Sequence, residues 1–240
     1  MQEEIKRIVE PVLVRIDAVL GSGYSAVLYG SGARGEFLPG VSDVNLLLVC
    51  NALGPAALRQ LYPALAGLRD AGQPPPLLIE REEWARAGDV FPIEIVDMQH
   101  ASTVLRGEDP LAGVPVDRRD HRRALEGELR AKLLRLRQAF ALRAAEPKQL
   151  GAVALRTASG VAALIRGSML LMGEVVPPLT PECLTAAEGR LGVSTGPLRE
   201  FWSHRGDRKY ACPPDQFEEY LSSVAALIRV LDRFTIPGGH

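Results

Sequence analysis

The stretch Ala26-Val27-Leu28-Tyr29-Gly30-Ser31-Gly32-Ala33-Arg34-Gly35-Glu36-Phe37-Leu38-Pro39-Gly40-Val41-Ser42-Asp43-Val44-Asn45-Leu46-Leu47-Leu48-Val49-Cys50 decides the fold. A short β-rich run, Ala26 to Tyr29, ends in a glycine turn. A second, nearly continuous apolar run follows from Val44 to Cys50, which predicts a strand buried on both faces. Gly30, Gly32 and Gly35 literally spell G-x-G-x-x-G. In a dinucleotide-binding unit that motif opens a long helix, because parallel strands need a crossover of about a dozen residues or more. Here Pro39-Gly40 breaks the chain and the next strand begins by Val44, so only a turn or two of helix fits. The acidic residue expected about 20 positions on is also missing; Cys50 and Asn51 stand there instead. No Lys-Ser/Thr pair follows the glycines, which excludes a P-loop.

Outward from this stretch, the first part of the chain alternates helix and strand. Ile5, Ile8, Val9, Val12, Ile16 and Leu20 recur at helical spacing before the stop at Gly21-Ser22-Gly23. Ala56 to Leu68 predicts a second helix, closed by Gly72 and Pro74-Pro75-Pro76. Leu77 to Ile79 and Ile93 to Met98 are predicted strands. The remainder is predicted to be all helix. Leu125, Leu129, Leu133, Leu136 and Phe140 form one stripe between Asp117 and Arg143. Gln149 to Met172 is more apolar, and its arginines at 156 and 166 make it a buried core helix rather than a membrane span. Thr180-Pro181 is the predicted cap and first turn of a third helix, and Phe217 to Leu231 supplies the last. The segment from Gly107 to Pro115 holds two prolines and two glycines and marks a boundary. The expectation is therefore an α+β chain: an N-terminal mixed sheet flanked by helices over residues 1–112, and an all-α helical bundle over 113–240.

The order strand, Gly-Ser turn, short helix with an arginine, then Ser-Asp-x-(acid) opening an apolar strand resembles the nucleotidyltransferase superfamily, the DNA polymerase β-like fold. Gly30-Ser31, Arg34-Gly35 and Ser42-Asp43-Val44-Asn45 carry the resemblance, which extends to about residue 110. Gly107-Glu108-Asp109-Pro110-Leu111 also resembles the segment that closes this domain in bacterial minimal and aminoglycoside nucleotidyltransferases, whose members often append a helical bundle. The resemblance implies transfer of a nucleoside monophosphate from an NTP such as ATP to an acceptor hydroxyl on a small molecule, a protein or an RNA end. It implies magnesium held by Asp43, residue 45 and a third carboxylate inside a later apolar run, for which Glu94 is better placed than Asp97. Gly30, Ser31, Arg34 and Ser42 become the nucleotide-binding set.

The chemistry accounts for these residue types. Two magnesium ions stabilise the attacking and leaving oxygens of such a transfer, and magnesium selects hard oxygen ligands. Residues 43 and 45 lie two apart and so share a strand face. A Gly-Ser turn lets backbone N–H groups approach a triphosphate. Position 45, however, is Asn. A neutral carbonyl oxygen is a weaker ligand for magnesium than a carboxylate, so transfer is expected to be impaired. The alternative is a catalytically inactive nucleotide-binding or regulatory module, such as an antitoxin-like partner. Plainer roles stand beside these: the glycines as a tight turn with positive φ, Arg34 as a salt-bridge brace, Asp43 as a strand cap, Glu94 on an edge strand, and Ser42 holding its loop.

Composition narrows the class. Charged residues make up 24% and hydrophobic residues 47% of the 240, as in an ordinary globular protein. Three scattered cysteines without CxxC spacing argue against a disulfide framework or structural zinc and suit a reducing cytoplasm. The acidic start Met1-Gln2-Glu3-Glu4 does not resemble a signal peptide, and no membrane partner is expected. Residues 1–110 carry 15 acidic and 9 basic side chains, residues 111–240 carry 14 and 19. Opposite charge suits two domains that face each other, or a cleft pairing metal-binding carboxylates with phosphate-binding arginines, beside the plainer reading that charged helices simply vary; a homo-oligomer or a partner protein is a separate expectation. Arg118 to Arg137 is basic, but interleaved Asp117, Asp120, Glu126 and Glu128 predict a solvated, ion-paired face. Arg199 and His204 are spaced like the ribonuclease pair of HEPN helical domains, a spacing that 24 arginines and four histidines also produce by chance.

Overall fold

The computed structural model describes residues 1–236. The chain divides into two compact units, the first Met1–Val116 and the second beginning at Asp117.

In the first unit, α1 (Glu3–Leu20) leads into β1 (Tyr24–Tyr29) and β2 (Asn45–Cys50), followed by α2 (Pro55–Asp70), β3 (Leu77–Glu80), α3 (Arg81–Trp84), α4 (Pro92–His100) and β4 (Ser102–Arg106). The strands form one mixed sheet in the order β3-β2-β1-β4. β1 runs antiparallel to both β2 and β4, and β2 parallel to β3. From Leu46 on, β2 is buried on both faces, as its nearly continuous apolar sequence predicts. Ala26, Leu28, Leu46, Leu48 and Cys50 pack on Ile5, Val9, Val12, Leu13 and Ile16 of α1 and on Leu61, Ala64 and Leu68 of α2. On the opposite face Val27, Leu47 and Val49 pack on Trp84, Ala87, Ile95 and Met98.

One expected strand is a helix. Residues 93–98 lie within α4, with Pro92, Ile95 and Met98 buried at three-residue spacing. Pro92 at the first turn favours a helix start, and the apolar positions read with a helical period once Pro92 is counted. The edge place beside β1 is taken by Ser102–Arg106, whose outer residues are half exposed and carry no apolar run. Arg106 fastens this edge to α1 through Glu10 at 2.6 Å and Asp17 at 3.1 Å.

The second unit is wholly helical among its described residues: α5 (Arg118–Arg143), α6 (Pro147–Leu171), α7 (Thr180–Leu191), α8 (Gly196–Ser203) and α9 (Pro214–Arg233). α6 packs against α5, α7, α8 and α9. It is the one described helix long and apolar enough to cross a membrane, and most of its apolar window is buried. The predicted stripe of α5 is buried at Leu125, Leu129, Leu133 and Leu136, and Asp117 caps the helix by accepting from Arg119 N–H at 2.6 Å. Thr180 is not a cap: Leu179 holds that place, and the Thr180 hydroxyl instead accepts from Arg166 Nη2 at 2.9 Å. Arg122, Arg123 and Arg130 are paired with Glu126, Asp120 and Asp232, as expected of a solvated face. Arg199 pairs with Glu188 at 3.1 Å, while the His204 ring stacks on Tyr210 with centroids 4.4 Å apart.

Candidate functional site

The glycine turn sits at the end of β1, where the antiparallel pairing puts Tyr29 opposite Asn45. Sequence alternation places both on the α4 side of the sheet, with Val27, Leu47 and Val49. One helical loop closes the turn: Arg34 N–H donates to Gly30 O at 3.2 Å and Glu36 N–H to Ser31 O at 2.9 Å. Gly30 and Gly35 hold φ of 71° and 77°, a region that L side chains rarely enter. A Cβ on Gly30 would stand 2.8 Å from the Asn45 amide nitrogen, and one on Gly32 3.2 Å from Ile5 and Leu28 carbons. The turn is therefore pressed onto α1 on one side and onto Asn45 on the other. Gln2 of the chain start adds a hydrogen bond to Gly35 O at 2.9 Å.

Ser42 lies in the loop before β2, and its hydroxyl accepts from Leu38 N–H at 3.0 Å while its own N–H donates to Leu38 O at 2.8 Å. Val44 N–H donates to the Gln73 side chain at 2.7 Å. These bonds fix the entry to β2 and hence Asn45. Asp43 is exposed beside them, outside the strand.

Arg34 is held rather than extended. Its Nη1 donates to Asp97 at 3.1 Å, and its Nε stands 3.5 Å from Glu36. Asp97 is on α4, one turn beyond Glu94, which is exposed in the first turn. Tyr29 faces the same helix. Burial, then the charges of Glu94 and Asp97, push its phenol up to about 12. Asp97 and Tyr29 were not prominent in the sequence. The only signal was the three-residue spacing of Glu94 and Asp97, meaningful in a helix and hidden by a strand reading.

The structure thus gathers Gly30, Ser31, Arg34, Tyr29, Asn45 and α4 at one end of the sheet. The donor set does not fit a magnesium pair of the kind the resemblance implies. Asp43 is exposed, position 45 offers a neutral amide, and Glu94 stands on a helix rather than an adjacent strand. Among the described residues no three His, Cys, Asp or Glu side chains come together as a metal-holding group.

No family model matches the chain, and no curated protein matches it. Among solved structures it is similar to spectinomycin adenyltransferase AAD(9) from Enterococcus faecialis, crystallised with ATP and spectinomycin. The TM-score is 0.54 at 13% identity, over 95% of this chain and 99% of that one. The fold is that of a nucleotidyltransferase.

Proposed function

We propose that the chain binds a nucleoside triphosphate such as ATP at the Gly30–Gly35 turn and transfers its nucleoside monophosphate to an acceptor hydroxyl slowly or not at all. Asn45 carries this reading. It stands opposite Tyr29 and against Gly30, where the resemblance calls for a carboxylate. The turn offers features that suit nucleotide binding: positive-φ glycines and a hydroxyl at Ser31. Position 45 withholds what transfer needs, a charged oxygen beside Asp43. The likeness to an adenyltransferase solved with ATP supports a nucleotide at this fold. Magnesium has no better hold here than the Asp43 carboxylate and one neutral amide oxygen, so we assign it no step.

Calorimetric titration with ATP, with and without magnesium, tests the binding half. The expected result is saturable binding that depends little on magnesium. Absence of heat in both conditions would remove the reading.

A further inference from the structure

Arg34 is the residue of the turn whose chemistry is least like its expected role. Its side chain is 9% exposed, and the two carboxylates around it, Asp97 and Glu36, are 19% and 6% exposed. A guanidinium carries five N–H donors in one plane. A swing of the whole side chain toward an incoming phosphate would leave two largely buried carboxylates behind, and breaking a buried pair is costlier than never making it. The pair also joins elements far apart in sequence. Arg34 and Asp97 are separated by 63 positions. Arg34 belongs to the turn closed on Gly30 O, and Asp97 belongs to α4. Gln2 holds the other side of the same turn through Gly35 O. The turn is thus pinned from α4 and from the start of α1.

We propose that Arg34 is a positioning residue and not a phosphate ligand: its ion pair with Asp97 locks the Gly30–Gly35 turn to α4 and so holds the turn's backbone N–H groups ready for a triphosphate. The proposal rests on the nucleotide-binding reading above. It requires that Asp97, a carboxylate that like charge sets against a phosphate, matter for nucleotide affinity in a direction opposite to simple electrostatics. Removing a negative charge near a triphosphate favours binding; loosening the turn disfavours it.

The full chain is compared with Arg34→Gln, Asp97→Asn and the double variant, at a temperature where circular dichroism shows each fully folded. Amide hydrogen exchange at residues 31–36 and ATP affinity by calorimetry are measured. Either single substitution is expected to speed exchange at 31–36 while leaving α5 to α9 unchanged, and to weaken ATP binding about tenfold, a coupling ordinary for directly paired residues. The double variant is expected to be weakened by less than the sum of the two singles, because each single already breaks the pair. Unchanged or tighter ATP binding by Asp97→Asn, as a released phosphate-binding arginine would give, overturns the proposal. If Asp97→Asn does not fold, Asp97→Glu, which displaces the same carboxylate, carries the test: faster local exchange with weaker binding supports the lock, and wild-type values for both overturn it. If the unaltered chain binds no ATP, the nucleotide reading fails separately, and wild-type exchange in the single variants then overturns the lock as well.

Discussion

The amide of Asn45 lies so close over Gly30 that a methyl group on that glycine would stand 2.8 Å from the amide nitrogen. Gly30 also holds a φ of 71°. Strand end and glycine turn are therefore fitted to each other through one residue pair, and the pair makes its own prediction. Gly30→Ala meets both an unfavourable backbone region and the Asn45 amide, so it is expected to destabilise the protein by about 1–3 kcal/mol. Chemical denaturation measures it. Adding Asn45→Ala should recover the steric part and leave the backbone part, so the double variant should be more stable than Gly30→Ala alone.

Beside the Ser42–Leu38 bonds, the entry to β2 is held by one side chain from the loop after α2. Gln73 accepts the Val44 N–H at 2.7 Å. Gln73→Leu removes that acceptor and is expected to cost about 1–2 kcal/mol, the usual penalty for a partly buried donor left without its partner. Hydrogen exchange should locate the loss at residues 42–46, and ATP affinity should fall with it. Faster exchange spread evenly over the sheet would contradict a local role.

Acid stability offers a third check. His121 is 3% exposed within the helical unit, its Nε2 has no hydrogen-bond partner among the described residues, and burial lowers its pKa to about 4. The folded state therefore keeps the neutral ring where the unfolded chain, titrating near 6.5, already takes up a proton. The unfolded state binds more protons between those values, so stability rises with pH across that window. Full stabilisation is expected above about pH 6.5 and is lost as pH falls toward about 4, by at most roughly 3 kcal/mol. Denaturation of wild type and His121→Leu from pH 4 to 7.5 should show the slope in the first and its reduction in the second. Equal slopes would remove His121 as the cause.

Much of this was legible in the sequence where one physical cause acted alone. The apolar run into Cys50 had to be buried on both faces because every residue in it but Asn45 is apolar, and Leu46 to Cys50 of β2 are so buried. The short loop from Gly35 to Val44 could not hold a crossover helix, and β1 and β2 accordingly pair antiparallel. The leucine stripe of α5 read directly from its spacing. Legibility failed where two causes overlapped. Residues 92–98 are apolar enough for a strand, but Pro92 and the spacing of Ile95 and Met98 also suit a helix, and packing under the sheet selected the helix. That choice moved Glu94 off the sheet and brought Asp97 to Arg34, a pairing across 63 positions that no local pattern announces. β4 was illegible for a different reason: as an edge strand its exposed residues need no apolar run.

Position 45 withholds the charge beside Asp43 that transfer needs, and Asn45→Asp restores it. Transfer of labelled AMP from ATP, scored as pyrophosphate release with magnesium present, is compared between the unaltered chain and Asn45→Asp across a panel of hydroxyl acceptors. Little or no release is expected from the unaltered chain, and a gain of about a hundredfold or more in the variant, on the scale of restoring one electrostatic contact made in the transition state. Release by the unaltered chain as fast as by the variant, with equal magnesium affinity, would contradict it.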